Sequence, residues 1–214
     1  KKTIESAESP FGAIIGGAKV SSKIDVLTNI ISKVDFLIIG GGMAFTFLKS
    51  KWYSIGNSLL EDDLLDTARE IIRKAKENNV DILLPVDVVG AEEFDNDSPR
   101  AVYSIEEIPD NIIGLDIGPK SIELFSEKIK AAKTIIWNGP MGAFELPNFA
   151  AGTNGIAHTL AESECLSIVG GGDSVTAINK AGVSDKISYI STGGGAFLEL
   201  LEGKILPGIA ALDK

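Results

Sequence analysis

Residues 34–51 read VDFLIIGGGMAFTFLKSK: an apolar run of strand length, three glycines, then a segment whose apolar residues recur at helical spacing. A continuous apolar run suits a strand buried on both faces, and a glycine cluster between strand and helix is a tight turn. The same design recurs on either side. Ile15-Gly16-Gly17-Ala18-Lys19 follows the run 11–15, Val169-Gly170-Gly171-Gly172-Asp173 follows 166–169, and Ser191-Thr192-Gly193-Gly194-Gly195 follows 187–190. Asn138-Gly139-Pro140-Met141-Gly142, after 134–137, is a fifth instance built with Pro. Runs at 80–86 and 112–117 complete the strand candidates. Amphipathic stretches near 22–33, 43–51, 60–77, 120–132, 149–163, 174–181 and 195–203 alternate with them. This alternation predicts a three-layer, doubly wound α/β fold, Rossmann-like, with a mainly parallel sheet of about six strands.

In a parallel sheet every strand ends on the same edge, so the five loops gather on one rim, where ligands of open α/β sheets bind. Glycine lets a ligand approach the backbone closely, and the helix N-terminus that follows offers free N–H groups and partial positive charge. Together they favour a phosphate or nucleotide site over plain turns. Nothing matches Gly-x-x-x-x-Gly-Lys-Ser/Thr, and no Gly-x-Gly-x-x-Gly opens the first helix, so the P-loop and dinucleotide readings are demoted.

Composition narrows the partners. Glycine supplies 23 of the 214 residues, and the net charge is −10. The charge is uneven: residues 56 to 110 hold 15 acids and 5 bases, and the remainder holds 15 of each. Without a basic footprint, nucleic-acid binding is not expected. The only Arg are Arg69, Arg73 and Arg100, all inside the acidic stretch, a poor supply for gripping a small phosphorylated acid. The single Cys165 forms no internal bridge and suits a reducing, cytoplasmic setting. No apolar run approaches the roughly 18 residues of a membrane span, so no membrane association is expected.

The ordered set GGAKVSSK, IIGGGMAFTFLK, LPVDVV, GLDIGPKS, WNGPMGAFE, GGGDS and STGGGAFLELLEGK is far more specific than any of its parts. In this order and spacing, from about Phe11 to Leu212, the chain closely resembles the nucleotide-binding, C-terminal half of the phosphoglycerate kinase family. The resemblance implies an ATP or ADP site with Mg²⁺, monomeric state, and phosphoryl transfer between 1,3-bisphosphoglycerate and ADP. It also implies that the 3-phosphoglycerate side is a basic patch on a separate N-terminal domain. Residues 11–214 are then the nucleotide-binding domain. Residues 1–10 read as the tail of an interdomain helix ending at Pro10.

Roles follow residue by residue. Lys19 and Lys23 stand four apart after the first glycine loop, a spacing that puts them on one helical face; two solvated lysines would look the same. The resemblance implies that Lys19 steadies the transferring phosphoryl and that Lys23, with Gly17 and Ala18, meets the nucleotide phosphates. Asp173 is either a first-turn carboxylate or a Mg²⁺ ligand, and the resemblance implies the metal. It also implies that Gly171, Gly172 and the hydroxyl and N–H of Ser174 meet a phosphate. Glu145 could cap a helix or accept from ribose hydroxyls, and the resemblance favours ribose. Gly42, Gly114, Leu115, Gly139 and Phe144 would shape the purine slot, although Leu115 and Phe144 are also ordinary core candidates. The helix start at Gly193-Gly194-Gly195 would approach the transferring phosphate, counting with Lys19 as catalytic. Phe197 departs from the small residue common in the family and puts local packing in question. His158, without a metal-spaced partner, reads as a structural helix residue, and Cys165, Trp52, Trp137, Phe45 and Phe47 read as core.

Overall fold

The computed structural model describes residues 7–203. In chain order its elements are β1 (Phe11–Ile15), α1 (Ile24–Ile30), β2 (Phe36–Ile39), α2 (Met43–Ser50), α3 (Leu65–Glu77), β3 (Asp81–Leu83), β4 (Asp87–Ala91), β5 (Arg100–Ser104), β6 (Ile113–Ile117), α4 (Pro119–Ala131), β7 (Thr134–Asn138), α5 (Ala151–Glu162), β8 (Leu166–Gly170), α6 (Gly172–Lys180), β9 (Tyr189–Ser191) and α7 (Gly194–Leu201). Short 3-10 turns precede α3 and α5.

Six strands form the main sheet in the order β3-β2-β1-β7-β8-β9, every pair parallel. The apolar runs explain how it is covered on both faces, because side chains alternate along a strand. Phe11, Ala13 and Ile15 of β1, Leu37 and Ile39 of β2 and Ile136 of β7 point into one core, with α1, α2, α3 and α7. Ile14, Phe36, Ile38, Ile135 and Trp137 point into the other, with α4, α5 and α6. Gly12 lets the Phe36 ring lie across β1, where a Cβ would come within 2.2 Å of it. The doubly wound expectation holds. So does the amphipathic reading of α3, which buries Ala68, Ile71 and Ala75 and pairs Arg73 with Glu77 and Lys74 with Glu70 on its outer face.

The run at 112–117 behaves differently from the expectation. As β6 it leaves the parallel sheet and joins a second, antiparallel sheet of order β5-β4-β6. The run at 80–86 also divides, giving β3, then Pro85, then β4. The polar segment 91–100 connects β4 to β5 as a hairpin. Two buried carboxylates fasten this sheet to the helices. Asp87 accepts from the amides of Lys120 and Ser121 at 3.0 and 2.8 Å at the start of α4. Asp116 accepts from the amide of Gly152 at 2.6 Å at the start of α5. Each satisfies orphan helix donors and places negative charge at a positive helix end.

Several single-residue expectations change. Trp52 is not core: it is 85% exposed, with φ 72 just after α2, and stacks under Arg69. Trp137, Phe45, Phe47 and Cys165 are buried as expected, and His158 is exposed on α5. Phe197 is buried over Gly170, where a Cβ would come within 2.2 Å of its ring, so this pair is mutually fitted. Residues 7–10 carry no helix, and residues 1–6 and 204–214, with Leu212, lie outside the described residues.

Candidate nucleotide site

The five glycine loops follow β1, β2, β7, β8 and β9 and share the carboxyl rim of the parallel sheet. Three of them lock together through their backbones. The Gly16 amide donates to the Asn138 carbonyl at 2.8 Å, Gly17 to Pro140 at 3.0 Å, Gly41 to Met141 at 2.9 Å and Met43 to Gly17 at 3.0 Å. This close approach is why several glycines are needed. Gly139 has φ 93, and a Cβ there would stand 2.2 Å from the Gly16 oxygen. Such a contact costs both left-handed strain and overpacking.

Two glycines on the rim have no such reason. A Cβ on Gly172 or on Gly195 would meet nothing within 4 Å. Both stand at helix starts, where the first N–H groups lack intrahelical partners. Around Gly172 the charged groups converge. Lys23, half-buried, donates through Nζ to Asn138 Oδ1, and Asn138 Nδ2 donates to the Gly170 carbonyl at 2.7 Å. Burial pushes the Lys23 ammonium below its ordinary value, and the nearby charges of Asp173 and Glu202 partly oppose this. Asp173 is exposed in the first turn of α6, whose N-cap is Gly171 at φ 97. Ser174 is fully buried, and its hydroxyl accepts from the Gly139 amide at 2.6 Å. The hydroxyl thus bonds within the protein, and the Ser174 amide is the group its helix position leaves open.

Lys19 and Lys23 do not share a helical face. Residues 19–23 form a turn pinned by buried Val20, the Lys23 amide donates to the Val20 carbonyl at 2.8 Å, and α1 begins only at Ile24. Lys19 is exposed in that turn, and Lys23 is the N-cap residue.

From the rim a cavity of about 630 Å³ runs between the two sheets. Its lining brings together Gly17, Ala18, Gly42, Gly114, Leu115, Phe144, Glu145 and Asp173. Gly139, Gly171, Gly172 and Ser174 stand behind or beside that lining, and Gly193, Gly194 and Gly195 lie one loop further along, after β9. The volume falls within the ~300–1,000 Å³ of small-ligand and cofactor sites. At its apolar end the pairing of β4 with β6 shifts register between Val89 and Gly90, which leaves Leu115 without a partner across the ladder. A bulge of this kind re-aims side chains, and here the Leu115 carbonyl accepts from the Ala143 amide at 2.7 Å. Lys180 lies 5.2 Å from the Phe144 ring and holds it from α6.

Sequence reasoning missed several residues here. Leu59 and Phe94, 53% and 58% exposed, line the cavity from the loops after α2 and β4. A large apolar side chain isolated in the acidic run AEEFDND was the available signal for Phe94. Asn138, 1% exposed, was quoted only as part of a motif, yet it links Lys23 to the β8 loop.

For a metal the donor set is small. Among the described residues no three His, Cys, Asp or Glu side chains cluster as a metal site. One exposed carboxylate beside open helix amides fits Mg²⁺ that arrives with phosphates, because Mg²⁺ takes one or two carboxylates and fills its shell with phosphate oxygens and water.

The fold and rim define an open α/β domain whose ligand crevice lies outside the carboxyl ends of its strands. The comparisons with known proteins narrow that class: the family model described as phosphoglycerate kinase matches residues 1–204, and the chain belongs to that family. It is 55% identical over 214 residues to the phosphoglycerate kinase of Microcystis aeruginosa, covering 99% of this chain and 53% of that protein. A Clostridium botulinum phosphoglycerate kinase is 55% identical over 210 residues, with 98% and 53% covered. The solved structure of phosphoglycerate kinase from Coxiella burnetii superimposes with a TM-score of 0.95 at 46% identity, covering 99% of this chain and 55% of that one. The Pyrococcus horikoshii enzyme gives 0.84 at 30% identity, with 99% and 54% covered. The chain spans about half the length of these relatives.

Proposed function

We propose that residues 11–214 are the nucleotide-binding half of a phosphoglycerate kinase, holding MgATP or MgADP for phosphoryl transfer between 1,3-bisphosphoglycerate and ADP in the cytoplasm. The observation that carries this is the open space at Gly172, next to Asp173 in the wall of an apolar cavity, with the Lys23 ammonium close enough to feel the Asp173 charge. The base lies in the slot of Gly42, Gly114, Leu115, Gly139 and Phe144, and Glu145 accepts from the ribose hydroxyls. Gly17, Ala18 and Lys23, with the amides of Gly171, Gly172 and Ser174, receive the phosphates. Asp173 supplies the protein ligand to Mg²⁺, which when bound neutralises charge on the phosphates. Lys19 and the helix start at Gly193-Gly194-Gly195 face the charge that develops on the transferred group, where fixed cations and amide dipoles act most strongly.

None of the three Arg lines this cavity, and Arg69 and Arg73 are engaged with Asp66 and Glu77. Among the described residues no arginine cradle for a phosphorylated three-carbon acid stands at this cavity. Positioning two substrates in line is worth ~7–11 kcal/mol of barrier, and half of that geometry is supplied here. Negligible turnover is expected from the chain alone in a coupled assay with 3-phosphoglycerate and ATP; robust turnover abolished by Lys19→Ala would contradict this division of labour. For binding, calorimetry with MgADP should show one saturable site of micromolar to millimolar strength. Asp173→Asn should weaken it more in Mg²⁺ than in EDTA, because the lost charge acts through the metal. No heat and no thermal shift at millimolar nucleotide would refute the assignment.

A further inference from the structure

Asp116 is the one carboxylate buried in the wall of the cavity. It is 3% exposed, it lines the base end, and both its oxygens accept backbone amides: Oδ1 from Ile117 at 2.9 Å, Oδ2 from Gly152 at 2.6 Å. The surroundings are shaped to it. A Cβ on Gly142 or on Gly152 would come within 2.3 Å of Oδ1, so the β7–α5 loop and the first turn of α5 both close on this carboxylate. It adjoins the unpaired Leu115, and the loop it supports carries Phe144 and Glu145.

We propose that Asp116 is a positioning residue of the base slot and that nucleotide occupancy is coupled to its protonation, so that binding takes up a proton. This rests on the nucleotide reading above. A ligand in the slot covers this wall of the cavity, and its phosphates add negative charge to the same cavity. Both disfavour the carboxylate form. Burial already pushes the Asp116 carboxyl up to about 7, against the two amide bonds, so the group titrates where modest changes matter. The titratable and charged groups on the elements around it are Asp87 on β4, turned onto the Lys120 and Ser121 amides, Lys120 on α4, Glu145 and Asp173 in the same cavity lining, and, further along α5, the exposed His158 and then Glu162. Desolvation and the two amide bonds are what act on it, and among the described residues no ion pair holds it charged.

The test is calorimetry of MgADP in buffers of different ionisation enthalpy at pH 7, on the natural sequence and on Asp116→Asn, with the difference in proton uptake between them isolating Asp116 from the phosphates and Lys23. Net uptake in the natural chain relative to the variant is expected. Affinity should be roughly fivefold tighter at pH 6 than at pH 8 relative to the variant, if the bound-state midpoint lies about one pH unit above the free one. If Asp116→Asn does not fold, the Asp116 side-chain carboxyl carbon is titrated by NMR with and without MgADP, and its midpoint should rise on binding. Equal uptake in both proteins, or the same midpoint free and bound, overturns the proposal while leaving the nucleotide site standing. Absence of any MgADP binding overturns both.

Discussion

The two ends of the cavity are built on opposite principles. At the closed, apolar end the protein fills its own space: a Cβ on Gly114 would meet the Phe45 ring at 2.1 Å, and one on Gly142 would stand 2.7 Å from both the Asp116 Cα and the Leu115 oxygen. At the open end it leaves space: a Cβ on Gly172, beside the lining residue Asp173, would meet nothing within 4 Å, and one on Gly17, at φ 116, would come near only the Lys23 side chain at 3.9 Å. Glycine thus serves two purposes in one site. In the first it permits packing, so its replacement is a stability event. In the second it keeps a surface bare, so its replacement is a ligand event.

The largest expected effect is at the closed end and depends on pH. In the unfolded chain the Asp116 carboxyl titrates near 3.8, and in the fold near 7. Below pH 3.8 both states hold the proton and the group contributes no difference. As pH rises the unfolded chain releases its proton first, so stability falls across the window up to about 7 and the full cost of a buried charge is present above it. That cost is on the order of 4 kcal/mol, at about 1.36 kcal/mol per pH unit. Denaturant unfolding from pH 4 to pH 8 should show this loss in the natural sequence and a flatter profile in Asp116→Asn. Parallel profiles would remove the charge from the account of the closed end.

Next in size is Gly142→Ala. The obstructing atoms are the Asp116 carboxylate, held in place by two amides, and the backbone of Leu115 and Asp116, which yield little, so a loss of about 2–4 kcal/mol in unfolding free energy is expected. Gly172→Ala sharpens the contrast. It should leave unfolding free energy within about 0.5 kcal/mol, yet weaken MgADP binding about tenfold, or ~1.4 kcal/mol, because the methyl group stands where a phosphate approaches. Equal damage to stability from both substitutions, measured by the same melts, would erase the distinction between the two ends.

The same contrast governs what could be read in advance. The open end was legible because its structure is local: each apolar run, its glycines and the next helix are contiguous, and sheet order then brings the loops together. The turn at 19–23 was the exception there, since burial of Val20 rather than the spacing of the lysines decides where α1 begins. The closed end was mostly illegible because its wall depends on pairing between distant segments. β5 is exposed along most of its length and carries little apolar pattern, and β6 looks like any buried strand until its antiparallel partner β4 is known. Asp116 sits inside that apolar run, and only the arrival of the Gly152 amide from 36 positions away gives its carboxylate a purpose. Trp52 was misread for a related reason: it follows α2 directly, but its positive φ turns it out onto Arg69.

The most direct test of the account is where a nucleotide sits. Backbone amide shifts followed during titration with MgADP should move at both ends of the one cavity: at Gly114, Leu115 and Phe144 on the closed side, and at Gly172, Asp173 and Ser174 on the open side, with a common dissociation constant. Shifts confined to the acidic hairpin around Glu92–Tyr103, or movement at one end without the other, would contradict it.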